Sequence, residues 1–156
     1  MGMRKILTDK EPSLHKVCKP VTKFDWRLHK LLDDMAETLE EANGVGLAAP
    51  QVGILKRVVL VDTGEEILEL INPEMLETSG EQTGVEGCLS VPGEYGIVTR
   101  PMVAKVRAQD RAGSWYEAEG EELIARCFCH ELDHLDGIVY TEKMERFLTD
   151  EELQEL

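Results

Sequence analysis

The chain has 156 residues, with 17 Lys plus Arg against 31 Asp plus Glu, a formal net charge of −14. Apolar residues make up 42% but aromatics only 5%, so one mainly aliphatic core is expected, a single domain over residues 1–156. The acidity argues against direct nucleic-acid binding and against a polybasic membrane anchor, and no apolar run approaches the ~20 residues of a membrane-spanning helix.

The first residues carry positive charge but no apolar stretch of the kind a secretory signal needs. The four cysteines, Cys18, Cys88, Cys127 and Cys129, are therefore expected as free thiols or metal ligands in a cytoplasmic protein. A monomer is expected, with Cys18 or Cys129 exposed enough to give adventitious dimers in air.

Asp25 to Ala42 has apolar residues at Leu28, Leu31, Leu32, Met35 and Leu39. Those three- and four-residue steps predict an amphipathic helix. Asp25 caps its start and Asn43-Gly44 stop it. Gly44 to Gly53 reads as loop. Arg57–Asp62 and Ile67–Asn72 read as strands joined by a turn at Thr63–Glu66. Val98–Thr99, Val103–Gln109 and Trp115–Ala118 are further strand candidates, the last two joined by Asp110–Gly113.

Glu119 to Leu135 reads as a second helix ended by Gly137, with Leu123, Cys127, His130 and His134 on its inward face. Thr149 followed by Glu152 marks a short C-terminal helix. The order predicts an α+β fold. Antiparallel or mixed sheets would pack around a central helix carrying His130 and His134, with an N-terminal helix and a short C-terminal one.

His130-Glu131-Leu132-Asp133-His134 is an H-E-x-x-H sequence. On a helix the two imidazoles fall within about 40° of each other and about 6 Å apart along the axis, so both reach one metal ion. Glu131 is then placed to act on a water held there. A catalytic metal usually keeps three protein ligands. Cys88, Cys127, Cys129 and a downstream carboxylate are candidates for the third. Cys129 points about 100° away from His130, and Cys127 lies about 7.5 Å too far along the axis. Cys127 is better read as a small apolar residue beside the site. Elimination favours Cys88 without excluding the rest.

Three segments together then resemble the bacterial peptide deformylases. They are Gly44-Val45-Gly46-Leu47-Ala48-Ala49-Pro50-Gln51, Glu86-Gly87-Cys88-Leu89-Ser90 and His130–Gly137. The likeness spans nearly the whole chain. It implies removal of the formyl group from the N-terminal formylmethionine of newly made polypeptides, releasing formate. It also implies one divalent ion on Cys88, His130 and His134, commonly Fe²⁺, with Zn²⁺, Ni²⁺ or Co²⁺ able to substitute. By the same resemblance Glu131 is the general base. The Gln51 amide and the Leu89 N–H are donors to the developing oxyanion. The Gly44–Leu47 stretch is expected to pair with an extended peptide, since absent side chains at Gly44 and Gly46 let a backbone approach. Val45, Leu89, Leu123 and Cys127 are expected to line the methionine pocket.

Cys129 departs from the family, which usually has Gln there. Two rival readings remain. A zinc protease would take its third ligand from Glu145, Glu151 or Glu152. A deformylase-like binding protein would lack turnover. Any ribosome contact of so acidic a chain should be weak and transient.

Overall fold

A computed structural model describes residues 2–156. Helix α1 spans Trp26–Ala42. The Asp25 carboxylate accepts from the Arg27 and Leu28 N–H groups, and Asn43 closes the helix in the left-handed conformation. The expected leucine stripe is buried.

The segment Gly44–Gly53 is more ordered than a loop. It holds a three-residue strand β1, Gly46–Ala48, and a 3₁₀ turn, Ala49–Val52. Strand β2 is Val58–Asp62 and β3 is Ile67–Ser79, seven residues longer than its sequence pattern predicted. The excess, Pro73–Ser79, is mostly exposed and has no alternating apolar face. Strand β4, Gln82–Cys88, was not foreseen, because two glycines and a glutamate mask it. Strands β5 (Val91–Arg100), β6 (Val103–Gln109) and β7 (Trp115–Glu121) follow. All strand pairs are antiparallel, in a five-stranded sheet ordered β1-β2-β3-β6-β7 and a β4-β5 pair.

Helix α2 begins at Leu123 and ends at Leu135, so Glu119–Glu121 belong to strand, not helix. The competing pattern is visible in β7. Trp115, Glu117, Glu119 and Glu121 are exposed, whereas Tyr116, Ala118 and Gly120 are partly buried. That period of two marks an edge strand whose charges face water. Helix α3 is Asp150–Gln154, capped by Thr149.

Helix α2 packs on the larger sheet through Ala125, Cys127, Phe128 and Leu135, which join Val59, Val61, Leu70 and Val106 in one core. On the other side α1 packs Leu28, Leu32 and Met35 against Leu47, Val58 and Leu60. Leu14, Val91, Val98 and Tyr140 form a third cluster. Cys18 is 3% exposed, contrary to the expectation of an exposed thiol. Burial lifts its pKa to about 11, against the pull of Arg57.

Glu122 joins β7 to α2 with φ 55° and ψ −120°. An L side chain there costs about 1–3 kcal/mol. The backbone holds the strain in place, since the Glu122 N–H donates to the Met102 carbonyl. Glycine removes the steric cost but gives back about 0.4–1 kcal/mol through a more flexible unfolded chain. Glu122→Gly should therefore stabilise the fold by about 1 kcal/mol in urea titration. A loss of stability would show that the Glu122 side chain makes a compensating contact.

Candidate active site

The tight link between β4 and β5 carries Cys88, Leu89 and Ser90 over the face of α2 that bears His130 and His134. The ligand atoms of Cys88, His130 and His134 all lie within 4.8 Å of one another. Cys88 Sγ stands 3.3 Å from His134 Nε2. No other His, Cys, Asp or Glu joins this group among the described residues. Glu145, Glu151 and Glu152, the alternative protease-type ligands, lie outside it, as do Cys127 and Cys129.

The donor set fits a divalent transition ion. One thiol and two imidazoles form a soft, nitrogen-rich set suited to iron, zinc, nickel or cobalt. His130 Nδ1 donates to Glu86 Oε2 at 2.6 Å, which fixes the tautomer and leaves the other ring nitrogen as a lone-pair donor. Burial holds the His134 imidazole well below its ordinary pKa, hence in the neutral ligand form. His134 Nδ1 has no hydrogen-bond partner.

Behind His130 is a buried charge network that sequence reasoning did not foresee. Glu86 is 4% exposed. Arg100 grips both its oxygens, Nε to Oε1 at 3.1 Å and Nη2 to Oε2 at 2.7 Å. Arg126 Nη1 adds a bond to Oε1 at 2.9 Å. Arg100 Nη1 also reaches Asp133 on α2 at 2.7 Å. Burial alone would raise the Glu86 pKa, but His130 and Arg100 outweigh it and hold the carboxyl well below the usual range. Glu86 and Arg100 lie 14 residues apart and Arg126 a further 26 along, so no local spacing signals their meeting.

Glu131 is 3% exposed, and its Oε1 has no hydrogen-bond partner. Burial lifts its pKa to about 7, against the pull of His130. Gly46 on β1 makes room for this carboxylate. A Cβ there would stand 2.7 Å from Glu131 Oε2 and 2.6 Å from Cys127 Sγ. Gln51 is 1% exposed. Its Oε1 accepts from the Ala48 N–H at 2.9 Å, and its Nε2 donates to Ser90 Oγ at 3.1 Å beside Cys88 Sγ at 3.6 Å. Ser90, another residue not singled out from sequence, thus orients the amide. The Leu89 N–H meets no acceptor among the described residues.

These groups open on a cleft of about 430 Å³. Gly44, Val45, Gly46, Leu89, Leu123 and Cys127 all line it. Leu123 sits at its rim, 57% exposed, and not in the core as its helical position predicted. The early start assigned to α2 is the reason, since Leu123 occupies the first turn. β1 is the end strand of its sheet, so one edge is unpaired beside the cleft.

The family model for polypeptide deformylase matches residues 3–149. The chain belongs to that family. A peptide deformylase of Agathobacter rectalis is 58% identical over 150 residues, covering 96% of this chain and 95% of the relative. The crystal structure of the Thermotoga maritima peptide deformylase superposes with a TM-score of 0.90 at 41% identity, covering 93% of this chain and 99% of that one. The Synechococcus elongatus peptide deformylase, solved in complex with actinonin, gives 0.89 at 35% identity, covering 99% and 84%. The chain is thus a deformylase, a hydrolase acting on formylated peptides, and its Cys-His-His group matches the metal dependence of the family.

Proposed function

We propose that residues 1–156 act as one catalytic domain that hydrolyses the formyl amide of N-formylmethionyl nascent polypeptides, releasing formate. The observation that carries this is the Cys88–His130–His134 group with the unpartnered Glu131 oxygen beside it. Cys88, His130 and His134 would hold one divalent ion, Fe²⁺ in the cell by resemblance to the family. When bound, such an ion supplies Lewis acidity, lowering the pKa of a coordinated water from about 15.7 toward 7.

The remaining chemistry belongs to the chain. Glu131 accepts a proton at its free oxygen and returns it to the departing amine. Its elevated pKa suits both halves of that cycle near neutrality. Gln51 Nε2 and the Leu89 N–H donate to the oxygen of the formyl group as charge develops on it. The free edge of β1 pairs with the peptide backbone, which reads no side-chain identity. Val45, Leu89, Leu123 and Cys127 hold the methionine.

Release of formate from formyl-Met-Ala-Ser by iron- or nickel-loaded protein tests the reading, and no formate from either form overturns it. Gln51→Ala should lower kcat about 10²–10³-fold, the usual effect of losing one oxyanion donor. Its metal content, by elemental analysis, should stay at one ion per chain. A loss under about threefold would remove Gln51 from this role.

The setting is the cytoplasm, and no described helix is long and apolar enough to cross a membrane. The enzyme works as a monomer. With a net charge of −14 it meets ribosomes weakly and transiently, through basic ribosomal proteins and not RNA.

A further inference from the structure

Arg126 is the one Lys or Arg that lines the cleft. It sits on α2 one turn before His130 and is 7% exposed. Nη1 is fully engaged, with Glu86 Oε1 at 2.9 Å and the Val98 carbonyl at 3.1 Å. Nε and Nη2 have no acceptor among the described residues, yet neither belongs to the buried polar atoms left without partners. They therefore keep solvent access, in a side chain that lines the cleft. Gly84 on β4 stands beside this edge, since a Cβ there would sit in ordinary contact with Nη2, at 3.6 Å. Val85, Leu123 and Cys127 line the same cleft.

A guanidinium edge bonds most strongly to a good oxygen acceptor. The methionine thioether is a weak one. Oxidation turns it into a sulfoxide, a side chain of the same length with an oxygen acceptor near its end. We propose that Arg126 is a specificity-determining residue that lets the cleft accept N-formylmethionine sulfoxide alongside N-formylmethionine. The inference rests on the deformylase reading above and widens its substrate class. The reaction is unchanged. Water adds across the formyl C–N bond, formate leaves, the amine takes a proton, and the sulfoxide is neither oxidised nor reduced.

The test compares kcat/KM of the metal-loaded enzyme on formyl-Met-Ala-Ser and its methionine-sulfoxide and norleucine counterparts. Norleucine matches the length and lacks the acceptor. The sulfoxide-to-norleucine ratio cancels any general loss of activity. It should be near or above one in the natural enzyme and fall about tenfold in Arg126→Leu, the usual scale of one charge-assisted hydrogen bond. Gly84→Val covers Nη2 while leaving the Nη1–Glu86 bond in place, so it should lower the ratio similarly. It also decides the matter if Arg126→Leu fails to fold. Calorimetric affinities for the deformylated sulfoxide and norleucine products should follow the same order. A ratio unchanged in Arg126→Leu, or in Gly84→Val if Arg126→Leu does not fold, overturns the proposal alone. No formate from any of the three peptides overturns the deformylase reading and this proposal with it.

Discussion

Glu131→Gln should lower kcat on formyl-Met-Ala-Ser by about 10²–10⁴-fold, the range ascribed to a positioned acid–base group. The exchange keeps the side chain's shape and removes only its capacity to carry a proton back and forth. The ion-binding group is untouched, since Glu131 is not among Cys88, His130 and His134. Metal content should therefore remain near one per chain. The fold should also tolerate the change. The natural carboxylate is buried with one oxygen unpartnered, and burial already disfavours its charge. The melting temperature should not fall. The three readings together separate a chemical role from a structural one. Lost turnover accompanied by lost metal would make Glu131 a support for the ion. Turnover within about threefold of the natural enzyme would remove it from proton transfer altogether.

The residues nearest the reaction were the most legible in the sequence. His130 and His134 share a helix face because four residues make just over one turn. The third ligand was open between a cysteine and a downstream carboxylate, with Cys88 favoured. Local chemistry also marked α1, through Asp25 and its leucine stripe, and α3, through Thr149 and Glu152. The supporting shell was not legible. Glu86 and Arg126 are charged, and charge in a sequence ordinarily reads as solvated surface. Their burial depends on partners brought together by the β4-β5 pair and α2, which no local pattern encodes. The end of β7, Glu119–Glu121, reads as helix for a related reason. Its glutamates are good helix formers, and the sheet edge overrode that preference. The Gly44–Gly53 segment looked like loop because glycine and proline usually punctuate structure. Here Gly46 is needed in a strand, where a methyl group would collide with Glu131 and Cys127.

That hidden shell carries the second large effect. Glu86→Ala should destabilise the protein by about 3–5 kcal/mol, the scale for breaking a buried ion pair by removing one partner. The deletion strands two guanidinium groups at once. Arg100 keeps Asp133, whereas Arg126 keeps only the Val98 carbonyl. Arg126 is therefore the more costly orphan. The metal site should weaken as well. His130 loses the acceptor that fixes its ring, and losing such an outer partner typically costs about 10–100-fold in metal affinity. Urea titration of metal-loaded protein reads the first effect, and competition with a chelator reads the second. Glu86→Gln keeps the volume but turns one acceptor into a donor facing Arg or His N–H groups, so it should recover little of either loss. Destabilisation below about 1 kcal/mol with unchanged metal affinity would mean that water reaches these charges, and the orientation of His130 would have to come from packing against Tyr140.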